Sequence, residues 1–182
     1  MKSQEPEEKK FMRIIRRQLV LSIAAVIVAV LSLPQISLGR ERGPVTNLPI
    51  PRFVSLKASK ANARRGPSLS HRIDWVFKRK HMPLEIYGEY ENWRRVRDID
   101  GAGGWVHYSL LSGSRTAILI EDMQPLFNSP QNNGMVVARF EKGAIADIDK
   151  CDLMWCQLSA GSYKGWVPKT ALWGVRLEEI KD

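Results

Sequence analysis

The chain has 182 residues, is 44% hydrophobic and 26% charged, and carries a formal net charge of +9. This is the composition of an ordinary globular protein with room for one or two small domains, not of a disordered or fibrous chain. The positive charge favours anionic partners in general but does not single out nucleic acid, because many solvated surfaces carry as much.

The first feature in chain order is LVLSIAAVIVAVLSL, residues 19–33, fifteen residues without a charge. A spanning helix needs roughly 17–25 apolar residues, whereas a secretory apolar region has about 7–15. Arg13, Arg16 and Arg17 precede the stretch, Pro34 ends it, and Ser37-Leu38-Gly39 supply small residues at a cleavage site. Residues 1–39 therefore read as an export signal, with an uncleaved anchor in the inner membrane as the alternative. The opening MKSQEPEEKKF is long and acidic-mixed for a basic leader, and Met12 begins the more usual MRIIRRQ, so either Met12 is the true start or the first eleven residues are disposable. Either way, residues 40–182 are expected in the periplasm, with the membrane touched only through the signal segment. Residues 40–52, with Gly43, Pro44, Pro49 and Pro51, read as an extended linker outside the fold.

The remainder repeats itself. Trp93 matches Trp155 at an offset of 62, and Trp105 and Leu111 match Trp166 and Leu172 at 61. Leu84-Glu85-Ile86 matches Ala146-Asp147-Ile148, and RRGPS at 64–68 finds a weaker echo in LFNSP at 126–130. A unit of about sixty residues thus occurs twice, over 53–113 and 116–176, leaving 177–182 as a tail. Each unit reads as β. Residues 53–58 alternate apolar and polar, and 84–87 and 93–97 are short strands bounded by glycine and polar residues. No segment after residue 40 sustains a 3.6-residue apolar period. The expectation is an all-β chain of two tandem small barrels, each with so marginal a core that the two are expected to lean on each other.

Residues 61–111 resemble a bacterial SH3-like domain. The matching positions are Asn62, Arg64, Gly66, Pro67 and Ser68 in an opening turn, Trp93 and Val96 in a middle strand, and Gly104, Trp105, Val106 and Leu111 at the end. The second copy is similar in its latter half through Trp155, Gly165, Trp166, Val167 and Leu172, and lacks the opening turn motif. Tandem copies of this kind are found in exported proteins of alphaproteobacterial type. The resemblance implies SH3-like barrels and a ligand in the cell envelope, either peptidoglycan or another envelope protein.

Two cysteines, Cys151 and Cys156, flank a predicted turn at 152–155. If 145–151 and 156–159 pair as a hairpin, the thiols face each other and form a disulfide in an oxidising compartment. A nucleophilic Cys156 would need a base, and His71, His81 and His107 all lie in the other repeat. The spacing is not that of a zinc site, so no metal or other cofactor is expected. Neither a serine elbow nor a phosphate loop is present. Two modules nearly fill the exported part, so no enzyme is expected.

Period-2 parity places Val96 inward and Trp93 on one face with Arg95 and Arg97, and likewise Trp155 with Gln157 and Ser159. An indole beside arginines is a contact surface, or else each Trp covers its own hairpin or packs under the opening loop. Trp105 and Trp166 read as structural. Residues 55–112 hold eleven Lys/Arg against six Asp/Glu, while 115–175 hold six of each. The first module is the basic one, through residues including Lys78, Arg79, Lys80 and Arg94. The candidate ligand residues are Arg64, Arg65, Tyr87, Trp93, Arg95, Arg97 and Trp155. A basic face interleaved with aromatics suits peptidoglycan carboxylates, an acidic protein segment or anionic lipid, or is an ordinary solvated surface. With export expected, no nucleic-acid partner is expected.

Overall fold

The computed structural model of the chain describes residues 11–12 and 41–182. The expected signal segment and its cleavage site lie outside the described residues, apart from Phe11 and Met12. Among the described residues no helix is long and apolar enough to cross a membrane.

Residues from 41 onward form two antiparallel seven-stranded sheets. The first comprises β1 (Arg52–Leu56), β2 (Ala61–Arg64), β3 (Ile73–Phe77), β4 (Pro83–Tyr90), β5 (Trp93–Arg97), β6 (Gly103–His107) and β7 (Leu111–Ser112), in the order β3-β2-β6-β5-β4-β1-β7. The second comprises β8 (Thr116–Leu119), β9 (Gln124–Phe127), β10 (Val136–Phe140), β11 (Ile145–Cys151), β12 (Trp155–Ala160), β13 (Tyr163–Pro168) and β14 (Leu172–Trp173). Its order, β10-β9-β13-β12-β11-β8-β14, is the same permutation. Period-2 alternation builds each core. Leu84 and Ile86 of β4, Val96 of β5 and Val106 of β6 are buried with Leu56, Ala63 and Phe77. Their counterparts in the second sheet include Ala146, Ile148, Leu158, Val167, Leu119 and Leu126.

Strand register refines the repeat. Arg64 faces Trp105 as Phe127 faces Trp166, so the offset in the opening half is 63 rather than 62. The turn echo is therefore displaced by one residue. With eight residues between β2 and β3 and between β9 and β10, Pro130 stands where the first copy has Pro67.

Residues 41–51, expected to lie outside the fold, are part of it. Gly43 N donates to Leu48 O at 2.8 Å and Ile50 N to Glu41 O at 2.8 Å, and Ile50 joins the first core. The physical reason is a carboxylate. Glu89 of β4 is buried and accepts hydrogen bonds from Val45 N (3.1 Å), Thr46 N (2.9 Å), Thr46 Oγ1 (2.6 Å) and Arg52 Nη2 (2.7 Å). A buried charge survives only with such partners. Burial pushes the Glu89 carboxyl up, but the bonds from Thr46, Arg52 and Val45 together outweigh it and hold the group at about 2 against an ordinary 4.5. Gly43 is required here, because a Cβ at that position would lie 2.3 Å from Glu89 Oε2.

The C-terminal tail is tied down in the same manner. The Lys181 backbone exchanges hydrogen bonds with Cys151 at 2.7 and 2.9 Å, and the buried Lys169 ammonium donates to Leu177 O (2.9 Å) and Glu179 O (2.5 Å). Between the sheets, Thr116 Oγ1 donates to His81 O at 2.7 Å and Arg79 Nη2 to Gly143 O at 2.8 Å. Phe53 packs edge-on against Trp173 with centroids 5.1 Å apart. The two modules form one packed unit. As expected from the hairpin, Cys151 stands opposite Cys156 with Cα atoms 4.1 Å apart, and the two are disulfide-bonded. Asp152 Oδ1 closes the turn by accepting from Met154 N and Trp155 N, both at 2.7 Å.

Two predictions follow from these ties. The Glu89 pKa is lower folded than unfolded, so its stabilisation is full above about pH 4.5 and is lost as pH falls toward 2. Glu89→Gln should lower unfolding free energy by on the order of 3 kcal/mol at pH 7. That gap should shrink between about pH 4.5 and 2, read from urea midpoints of both proteins at each pH. A gap independent of pH sinks the assignment. The Cys151–Cys156 loop is short, so reduction should cost only about 2 kcal/mol, measured by urea unfolding with and without dithiothreitol.

Candidate ligand-binding cleft on the first module

Five of the seven candidate residues come together on the first sheet. A bulge between Ile86 and Gly88 sets Tyr87 out of register and places Gly88 opposite Arg95. On the other side Arg95 faces Trp105 of β6, and Trp105 in turn faces Arg64 of β2. Arg64, Arg65, Tyr87 and Arg95 thereby line one cleft of about 240 Å³, together with Asp74 and Trp105. Arg97 borders it, its guanidinium 5.4 Å from the Tyr87 ring centroid.

Two glycines let the strands close in this way. A Cβ on Gly103 would lie 2.0 Å from Val96 O, and one on Gly104 would lie 2.6 Å from Arg64 O. Gly104 also has φ +149°, which disfavours any side chain.

The cations of the cleft are not equivalent. Arg97 is committed to Glu85 through Nε (2.7 Å) and Nη2 (2.6 Å). Arg65 and Arg72 share Asp74, at 3.1 and 2.7 Å, and their hydrogen bonds hold its carboxyl below the usual carboxylate range. Arg64 Nη1 donates to His71 O at 2.7 Å and so supports the opening loop. Arg95 makes no side-chain hydrogen bond or ion pair among the described residues, and its guanidinium lies 5.1 Å from the Tyr87 ring centroid. A planar fork beside an aromatic ring, with no donor spent on a described residue, is suited to a carboxylate or another planar anion.

Trp93 and Trp155 do not join the cleft. Trp93 is only 8% exposed and packs edge-on against His107, with centroids 5.5 Å apart. Parity assigned its face, but a strand tells nothing of what its neighbours lay over that face. Trp155 is half-buried in the second module against Phe127, centroids 5.9 Å apart. Arg94, counted as part of the basic surface, is turned inside, its Nη1 donating to Glu91 O and Trp93 O at 2.8 Å. Trp105, read as structural, is a wall of the cleft. The cross-strand partner of Arg95 would have revealed it had the β5–β6 register been drawn from the sequence. Asp74 was missed because β3 carries no clean alternation.

The second module has no equivalent cluster. Register places Phe127, Asp149, Gln157 and Ser159 where the first has Arg64, Tyr87, Arg95 and Arg97. Asp149 is satisfied locally by Ser159 Oγ (3.0 Å) and Lys164 Nζ (2.9 Å).

The model of the bacterial SH3 domain matches residues 57–113 and again 121–174. The chain belongs to the bacterial SH3 domain family. The second match includes the opening half in which the turn motif is missing, in agreement with the shifted register. No curated protein matches this sequence. Among solved structures, the chain is similar to NlpC2 of Trichomonas vaginalis at 13% identity and TM-score 0.31, over 68% of this chain and 48% of that one. NlpC1 of the same organism matches at 15% identity and TM-score 0.32, over 77% and 50%. The chain thus spans about half the length of these two proteins.

Gly104→Ala tests the close approach that shapes the cleft. Gly101 also has positive φ, but a Cβ there meets nothing within 4 Å. Gly101→Ala should therefore cost only about 1 kcal/mol. Gly104→Ala should cost at least twice as much, measured by thermal or urea unfolding. Equal costs would contradict the β2–β6 packing.

Proposed function

We propose that this chain is an exported, non-enzymatic binding protein that recognises peptidoglycan in the cell envelope through the cleft of its first SH3 module. The observation that carries the reading is the unspent Arg95 guanidinium, held on Tyr87 beside Arg64 and Arg65. Peptide stems of peptidoglycan offer carboxylates to such a group, and bacterial SH3 domains are commonly cell-wall-binding modules. The apolar stretch after Arg17 supports export, and the Cys151–Cys156 disulfide fits an oxidising compartment. With both thiols in that bond, neither is a nucleophile, which supports a binding role over a hydrolytic one.

A second reading, an adaptor for another envelope protein, is favoured by the outer strands. β3 exposes Ile73 and Trp75, while Met135 and the β10 residues Val136 and Val137 are exposed at the corresponding edge. Exposed apolar edges of this sort suit strand addition by a partner.

Co-sedimentation of the full-length chain with purified sacculi tests the first reading. Wild type should pellet in a salt-sensitive manner. Arg95→Ala and Arg64→Ala/Arg65→Ala should each weaken binding about ten-fold or more, and Trp155→Ala should leave it unchanged. If wild type stays in the supernatant, the peptidoglycan reading is lost, and a partner pulled down at fixed stoichiometry from envelope extract would take its place.

A further inference from the structure

A second concavity adjoins the cationic cleft. It measures about 310 Å³ and is lined by Lys60, Asn62, Arg64, Leu69, Trp93 and His107 among others. Its character is different. Trp93 supplies a buried indole wall at 8% exposure, and Leu69 stands over the opening from the 65–72 loop at 76% exposure. The charged side chains at this apolar trough, Lys60 and Arg64, are both cations. Arg64 lines both concavities, so the trough and the cleft adjoin at this residue. The loop that carries Leu69 is held at both ends, by Arg65 N to Arg72 O at 2.9 Å and by Arg64 Nη1 to His71 O at 2.7 Å. Gly66 packs against the His71 ring, where a Cβ would fall 2.4 Å from Nε2.

We infer that the trough is the second half of the same site, and that the ligand is an extended peptide segment carrying an apolar side chain beside a free carboxylate. This rests on the reading of the cleft as a binding site. A carboxylate on the Arg95 fork places the chain of such a segment past Arg64, and its next side chain then enters the space between Leu69 and Trp93. An apolar group gains burial there, while the cationic rim favours a ligand of negative charge. A purely polar anion would leave the indole and Leu69 unused. An uncharged apolar peptide would leave Arg95 unpaired.

The test titrates the full-length chain with four blocked, fluorescently labelled pentapeptides and reads anisotropy. The parent is Gly-Gly-Glu-Leu-Gly, and the others carry glutamine for glutamate, glycine for leucine, or both changes. The parent should bind about ten-fold tighter than either singly changed peptide. Leu69→Ser, at an exposed position, should reduce the parent to the level of the leucine-less peptide without weakening that peptide further. Arg95→Ala should reduce the parent to the level of the glutamine peptide. If the leucine adds no affinity, or if Leu69→Ser leaves the parent unaffected, the trough is not a subsite and the inference is overturned, even while sacculi continue to depend on Arg95. If the peptides discriminate as expected but sacculi do not bind, the inference holds and the peptidoglycan assignment falls.

Discussion

A sheet of about sixty residues encloses little apolar volume, and the shortage shapes every other feature of this chain. Each core is a single small cluster built from short strands. Both modules then fasten chain from outside the sheet. The first takes residues 41–51, clasped by the buried Glu89 carboxylate. The second takes the C-terminal tail, held through Cys151, the Lys169 ammonium and the Arg115–Glu179 ion pair at 2.5 Å. The remaining exposed flank of each is closed against the other, with Phe53 on Trp173 and Thr116 on His81 O. Chain that resembles linker and tail is therefore structural.

Duplication of such a unit leaves two copies of one scaffold with different surfaces. The strand order and register are shared, yet the positions of Arg64, Tyr87 and Arg95 in the first copy are held by Phe127, Asp149 and Gln157 in the second. The second copy spends its polar groups on one another, Asp149 with Ser159 and Lys164. Fold alone would assign both copies the same task, whereas the side chains at matched positions separate them. The charge difference between the modules, +5 against zero, points the same way and follows from these substitutions among others.

Much of this was legible in the sequence. The 61–62 residue spacing of Trp93, Trp105 and Leu111 with their counterparts exposed the repeat because those residues sit in strands that pair alike in both sheets. The strand 93–97 and the Cys151–Cys156 hairpin follow from alternation and turn residues, with no long-range information needed. What was not legible depends on contacts between distant segments. Trp93 packs against His107 of β6, so parity within β5 could not reveal its burial. Arg94 lies on the inward parity but near the sheet's end, where Glu91 O and Trp93 O accept its donors. Residues 41–51 read as loose because their partner, Glu89, is some forty positions away. Arg64, Arg65, Tyr87, Arg95 and Arg97 were found together since composition marks a basic aromatic stretch, but only the β5–β6–β2 register shows why they meet and that Trp105 completes the wall.

The most direct measurement is hydrogen–deuterium exchange of the full-length chain with and without soluble peptidoglycan fragments. Ligand-induced protection confined to residues 62–75, 85–97 and 101–107 is the result this account requires. Protection at 124–127 and 155–160 instead, or along the outer strand at 135–140, would contradict it and move recognition to the second module or to a sheet edge.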